Sequence, residues 1–347
     1  MMKQIVIQEK EQIQYITSSI PKPTGTQVLI RVETISLCGS DLHLFHGTYN
    51  GPMNYPLKFG HEWSGEVVSI GPDVKKIKIK DMVTGDCSKY CGKCKNCQKD
   101  KNMCTHIEKF GITIDGASAE YIIRDEQYLY AYDPLIGFDL GALVEPLAVS
   151  RNLLKKIAKI TPQLNKARIL VLGLGGIGLG TLLQLIHVYN CSDVSVIDVS
   201  KKRMEMGAKL GAKLVDPKIL DQNSDSSKYS SLYSDEGFDV IIDTTGSAFV
   251  FKNLLSIVAP FGVIGSLGML EEVCIPQKLI VLKGLTLVGS IGGTGSFEDV
   301  LGFISLHPDE VRTLISHTYS LLDRKELDMA FSTAADIEHA VKVQLKF

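Results

Sequence analysis

The chain has 347 residues, 45% of them hydrophobic and 22% charged, with a formal net charge of −2. That balance suits a globular protein of about two domains, and it excludes the charge-driven binding of nucleic acid or anionic membrane that a strongly basic chain would show. No run approaches the roughly 18 uninterrupted apolar residues of a membrane span. The N-terminus has no apolar signal-peptide core, and four of the eight cysteines crowd between Cys91 and Cys104. A reducing, cytoplasmic setting with metal-binding thiols is therefore the expectation.

The first part of the chain reads as many short strands. Met1–Lys10, Val28–Leu37, Trp63–Ile70, Met82–Asp86 and Ala119–Arg124 carry strand patterns, with Gly71-Pro72 and other turn residues between them. Together they predict a compact, largely β unit. Leu140–Ile157 changes to helical spacing, and Thr161-Pro162-Gln163 marks a crossing point.

From Arg168 strands and helices alternate. Ile169–Leu172 is an all-apolar strand, followed by a glycine-rich turn and a helix over Ile177–Tyr189. Val194–Ile197, Leu214-Val215, Val240–Asp243, Val263–Ser266 and Leu285–Val288 are further strands, and Lys201–Leu210 is a helix. Asp221–Ser234 reads as a polar surface helix or loop. This order predicts an α/β, doubly wound parallel sheet. After about Thr294 the chain returns to the first unit, with a helix near Phe297–Leu306 and a last strand at Val341–Phe347. The expected division is 1–155, 156–293 and a returning 294–347, with a cysteine lobe at 87–106.

Three motifs carry chemistry. Cys91, Cys94, Cys97 and Cys104 have the spacing of four thiolates turned onto one ion, a closed tetrahedral zinc site that stiffens a loop. An iron–sulfur cluster is the competing use of such a set. Cys87 is left out, and Cys191 and Cys274 read as small buried residues.

Gly173-x-Gly175-x-x-Gly178 follows a strand and opens a helix. In that context the glycines, with Gly176 and Ile177 between them, form a dinucleotide turn whose helix N-terminus faces the pyrophosphate. Asp198 ends the next strand, where a carboxylate binds adenosine ribose hydroxyls and repels a 2′-phosphate. This favours NAD over NADP, against the opposing charges of Lys202 and Arg203.

Cys38 and His61 are the first-choice ligands of a second, open zinc, with Glu62 and Glu145 competing for the third protein position. Glu145 is an acid in an apolar run, which argues for a partner or a metal. An open zinc acidifies an alcohol, and Ser40 and His43 are spaced to carry the proton outward. His46, His106, His187, His307, His317 and His339 show no partnering pattern.

Gly60-His61-Glu62-x2-Gly65-x5-Gly71-x2-Val74 resembles the zinc signature of the zinc-containing medium-chain dehydrogenase/reductase superfamily. Cys38-Gly39-Ser40-Asp41-Leu42-His43, the four-cysteine lobe and the Gly173–Gly178 turn resemble that family's other motifs in the same order. Glu145-Pro146-Leu147 resembles the polyol branch, which includes sorbitol, galactitol-phosphate and threonine dehydrogenases. There an acid replaces a cysteine ligand.

The resemblance implies a GroES-like catalytic domain, a Rossmann cofactor domain, an active site in the cleft between them, two zinc ions per chain and a homodimer or homotetramer. It also implies that Ile177, Arg203, Thr245, Leu267, Ser290 and Ile291 line the NAD site. In the family the proton passes from the serine through a nicotinamide-ribose hydroxyl to the histidine. Leu44 departs from an aromatic residue common in polyol dehydrogenases, and Lys80 from a common glycine. The expected activity is NAD-dependent oxidation of a secondary alcohol of a polyol, cyclitol or sugar derivative. Threonine, an aminocyclitol or a phosphorylated polyol is the near alternative, and a non-catalytic dinucleotide-binding redox sensor is the alternative of another class.

Overall fold

The structure is a computed structural model describing residues 1–221, 228–233, 236–270 and 272–347. The chain forms two compact units, Met1–Ala148 with Gly292–Phe347, and Val149–Ile291.

The first unit is built on a seven-stranded sheet. Its path runs Ile315–Ser320, Lys342–Lys346, Gln27–Ser36, Glu62–Ile70, Met82–Gly85 and Leu129–Tyr132, with Tyr121–Asp125 also paired to Gln27–Ser36. Alternating apolar side chains such as Ile30, Val32, Val67 and Val83 fill one core with Phe59 and Trp63. The returning C-terminal segment adds the helix Arg324–Ala335 and the strand Lys342–Lys346 to this core. Gln344 stands opposite Ser36, and Ser36 opposite Glu62. This register sets the end of the last strand beside the segment that bears Cys38, His61 and Glu62.

The second unit carries a six-stranded parallel sheet in the order Lys213–Leu214, Val194–Ile197, Ile169–Leu172, Phe238–Asp243, Val258–Ser266 and Thr286–Gly289. The central strand Ile169–Leu172 is buried at all four positions, as its all-apolar sequence requires. Leu172 stands level with Ile197 and Asp243, and Asp243 with Ser266. The carboxyl ends therefore share one edge, where open α/β sheets bind ligands.

Two expectations need correction, those for Leu140–Ile157 and Cys274. Leu140–Ile157 is not one helix: a short helix over Gly137–Gly141 is followed by a separate helix over Val144–Ile160, which puts Glu145 in a first turn. Asp221–Ser234, expected as a surface helix or loop, holds a largely exposed helical turn over Tyr229–Leu232 after the end of a 3₁₀ turn at Asp221, while 222–227 and 234 lie outside the described residues. Cys274 is exposed, whereas Cys191 is buried as expected. The sequence reading also passed over the strands Gln12–Ser18 and Ile315–Ser320 and the helices Ala248–Ile257, Gln277–Lys283 and Arg324–Ala335.

Candidate active site

Cys38 stands immediately before the helix Gly39–Phe45, and His61 immediately before the strand Glu62–Ile70. Asp41 stitches these two segments together. Its carboxylate is fully buried and accepts the main-chain N–H of Cys38 at 2.9 Å and that of Gly60 at 3.1 Å. The same carboxylate lies 3.7 Å from His61 Nδ1. That leaves Nε2 as the outward nitrogen, 3.4 Å from Ser40 Oγ. Burial opposes charge on the His61 ring, but Asp41 and Cys38 together hold its pKa well above the ordinary histidine value.

One ligand atom each from Cys38, His61 and Glu62 lies within 4.8 Å of the other two. A thiol, an imidazole and a carboxylate so gathered form a donor set that suits zinc. The Glu62 carboxylate is held at both oxygens by Lys342 Nζ, at 2.5 Å each, and Lys342 also reaches the Leu37 carbonyl at 3.4 Å. Burial alone would lower the Lys342 pKa, and the charges of Glu62 and Cys38, with the Glu62 hydrogen bond and the Glu145 charge, together raise it instead. Glu145 is buried but stands outside the trio. Burial pushes its carboxyl up to about 7, with the His61 charge pulling the other way. His43 is exposed, with Nδ1 2.9 Å from Thr48 Oγ1, so Nε2 is the nitrogen left for proton exchange.

The four lobe cysteines also converge, with ligand atoms within 4.8 Å of one another. Main-chain N–H groups of Cys91 and His106 point at Cys104 Sγ at 3.3 Å, and that of Cys97 at Cys94 Sγ at 3.4 Å. Such donors favour thiolate. The Thr105 N–H leads those that draw the Cys94 thiol down to about 5. Residues present at both centres thus fit zinc, one set closed by four sulfurs and one with three protein donors.

In the second unit Gly173 turns the chain out of its strand at φ +84°, and the helix Gly176–His187 begins with Gly175 as N-cap. A Cβ on Gly178 would sit 1.8 Å from the Gly173 carbonyl oxygen, so only glycine lets helix and strand close up there. Gly176 and Ile177 form the helix's first turn. Asp198 receives the Leu174 N–H at 2.5 Å and the Ser200 N–H at 2.8 Å, so it braces the turn as well as offering lone pairs to a ribose. Arg203 reaches the same turn, its guanidinium 3.9 Å from where a Gly175 Cβ would be. Thr245, Leu267, Ser290 and Ile291 follow the carboxyl ends of three neighbouring strands, and Thr245 Oγ1 donates to Asp243 at 2.6 Å.

Two residues of this geometry went unassigned in the sequence reading. Asp41 lay within the quoted Cys38–His43 motif, and its signal was an acid three positions after a ligand cysteine at a helix start. Lys342 had no such signal, because its partner is 280 positions away.

Comparison with known proteins gives the class. Residues 24–134 match the alcohol dehydrogenase GroES-like domain, and residues 176–306 match the zinc-binding dehydrogenase domain. The (R,R)-butanediol dehydrogenase of Saccharomyces cerevisiae is 30% identical, over 83% of this chain and 82% of its own. The alcohol dehydrogenase RspB of Escherichia coli CFT073, solved with NADH, superposes with a TM-score of 0.87 at 26% identity, over 100% of this chain and 99% of the other. A Sinorhizobium meliloti 1021 protein, solved as a zinc-binding dehydrogenase with NADP, superposes with a TM-score of 0.86 at 27% identity, over 100% and 99%.

The chain therefore belongs to the zinc-containing medium-chain dehydrogenase/reductase superfamily, with a GroES-like and a Rossmann-type domain. Within it, the protein is an alcohol oxidoreductase of the zinc-type alcohol dehydrogenases. Among the described residues no helix is long and apolar enough to cross a membrane.

Proposed function

We propose that this protein is a zinc- and NAD-dependent dehydrogenase that oxidises a secondary alcohol of a polyol, cyclitol or sugar derivative. The observation that carries the reading is the gathering of Cys38, His61 and Glu62, with the Ser40 hydroxyl beside the outward nitrogen of His61. Cys38, His61 and one of Glu62 or Glu145 would hold the catalytic zinc, and Cys91, Cys94, Cys97 and Cys104 the structural one. When bound, zinc makes the alcohol oxygen acidic and the dinucleotide accepts the hydride.

The chain's own residues do the rest. Ser40 takes the alcohol proton, since its hydroxyl can accept and donate at once. His43 passes a proton to solvent from its free Nε2, while Thr48 fixes the ring through Nδ1. The buried Asp41 carboxylate, 3.7 Å from Nδ1, attracts that side of the His61 ring, which leaves Nε2 as the nitrogen that would meet the metal. Gly173, Gly175, Gly176, Ile177 and Gly178 offer the pyrophosphate a helix N-terminus, and Asp198 offers the ribose a carboxylate. The Asp198 charge supports NAD over NADP. The butanediol dehydrogenase relative acts on a diol with secondary hydroxyls, which agrees with the substrate class proposed here.

The test is a screen of polyols, cyclitols, aminocyclitols and threonine with zinc-loaded protein, following NADH and NADPH absorbance. Turnover of a polyol or cyclitol with NAD is expected. His61→Ala should abolish turnover, leave one zinc per chain and bind NADH nearly as before. Retained turnover in that variant would overturn the site assignment.

A further inference from the structure

Behind the zinc ligands lies a polar cluster that the proposed chemistry leaves unused. The strands Ser88–Lys89 and Glu108–Lys109 pair, with Ser88 opposite Lys109. One residue further on, the Phe110 N–H donates to the Cys87 carbonyl at 2.9 Å. Gly111 follows at φ +77°, so close to the ligand segment that a Cβ there would lie 3.2 Å from the His61 main-chain nitrogen. The fold thus sets Asp86-Cys87 and Lys109-Phe110 side by side against the peptide that carries His61. Electrostatics agree, because Lys109 and Asp86 both act on Glu145 and on the Cys87 thiol, and both of those groups feel His61.

Three groups in this cluster have spare hydrogen-bonding capacity. Lys109 is half-buried, pairs with no carboxylate among the described residues and donates to the Ser88 hydroxyl at 2.6 Å. Asp86 is 2% exposed; its Oδ1 accepts the Ser88 N–H at 2.8 Å, while Oδ2 has no hydrogen-bond partner. The Thr294 hydroxyl is also buried and faces the Asp86 carboxylate, whose pKa it helps hold down against burial. Its main chain is clasped by Asn102, which accepts the Thr294 N–H at 3.2 Å and donates to the Thr294 carbonyl at 3.3 Å. Buried polar groups left unpaired are costly, so such a set implies a polar occupant.

We infer that Lys109, Asp86 and Thr294 form a hydroxyl-reading subsite, which binds an alcohol group of the substrate one or more carbons away from the reacting one. A hydroxyl both accepts from an ammonium and donates to a carboxylate, so it satisfies Lys109 and Asp86 together. A phosphate or carboxylate would meet the Asp86 charge, and an alkyl group would leave the remaining capacity of Lys109 and of Asp86 Oδ2 unused. The inference rests on the dehydrogenase reading above and deepens it, selecting polyhydric over simple secondary alcohols.

The experiment uses the zinc-loaded full chain and compares kcat/KM for pentitols (xylitol and D-arabitol) with that for 2-butanol. In Lys109→Met the pentitol to 2-butanol ratio should fall by about 10- to 100-fold, the loss of one hydrogen bond to a charged group. The fall should lie mainly in KM. Asp86→Asn should lower the same ratio, and Lys109→Arg, which keeps a charged donor, should restore part of it. Zinc content and NADH affinity, measured on each variant, separate a folding failure from a lost contact, and should Lys109→Met fail to fold, the other two variants decide. A ratio unchanged within about threefold in the folded variants overturns the subsite. So does a wild-type preference for a pentitol phosphate that Lys109→Met removes, since the cluster would then read an anion. A wild type that oxidises none of these alcohols overturns the dehydrogenase reading itself.

Discussion

The pair Lys342–Glu62 offers a sharp test of how the returning C-terminal strand supports the zinc site. Both side chains are buried, and the ammonium holds both carboxylate oxygens at 2.5 Å. Lys342→Met removes one charge and leaves the other buried beside the zinc ligands. Breaking a buried pair in this one-sided way costs about 3–5 kcal/mol. The first unit has about 200 residues, and a domain of that size loses about 2–4 °C of Tm per kcal/mol, so its melting point should fall by about 6–20 °C. The assay reads this unit alone, because Trp63 is the single tryptophan and lies 1% exposed in its core. Its fluorescence is followed during heating of the metal-stripped protein, in which no cation other than Lys342 can neutralise Glu62. The double variant Glu62→Gln with Lys342→Met should regain much of the loss, because no lone charge then remains buried. A single variant melting within about 2 °C of wild type, or a double variant no better than the single, would refute the reasoning.

Other consequences follow from the same geometry. Gly178→Ala sets a methyl 1.8 Å from the Gly173 oxygen; overpacking of this kind costs about 1–3 kcal/mol, so NADH affinity should fall by about tenfold with zinc content unchanged. Cys94→Ser should release one zinc per chain and raise protease sensitivity around the lobe while Trp63 stays buried, and a retained second zinc would deny the tetrathiolate. In metal-stripped protein, burial raises the Glu145 carboxyl from 4.5 to about 7. The folded chain then holds a proton that the unfolded chain has already released, so this residue's contribution to stability declines as pH rises from about 4.5 to about 7. Glu145→Gln should flatten that decline in Trp63-monitored melts at pH 5 and pH 7.5, and an identical pH slope in both proteins counts against a buried, protonated Glu145.

Much of the fold was legible because its signals are local. The run Ile169–Leu172 is apolar at every position, and the glycines that follow it read as a dinucleotide turn because a strand precedes them and a helix follows. The break between Gly141 and Val144 was not legible, since Leu140, Leu143 and Leu147 keep helical spacing across it, and a period of apolar residues does not record where hydrogen bonds are interrupted. The strand Ile315–Ser320 escaped for a related reason. It is half-buried except at the exposed Thr318 and has no fully buried position, so its sequence lacks the alternation that a strand with one buried face displays.

At the site, motif spacing pointed to the candidate ligands and hid what surrounds them. Cys38 and His61 announce themselves because a metal needs particular atoms, and few side chains supply them. A partner that neutralises Glu62 need only be a cation, and the sequence holds 37 lysines and arginines. Choosing Lys342 among them takes the register that sets Gln344 against Ser36 and Ser36 against Glu62. The cluster of Lys109, Asp86 and Thr294 is hidden more deeply, because none of the three is unusual in its own segment and only their convergence makes them costly to leave unpaired. Substrate choice within a family that shares its ligands therefore resides where motifs are silent. Changing Lys109 should alter which alcohol is read while Cys38 and His61 go on holding the same metal.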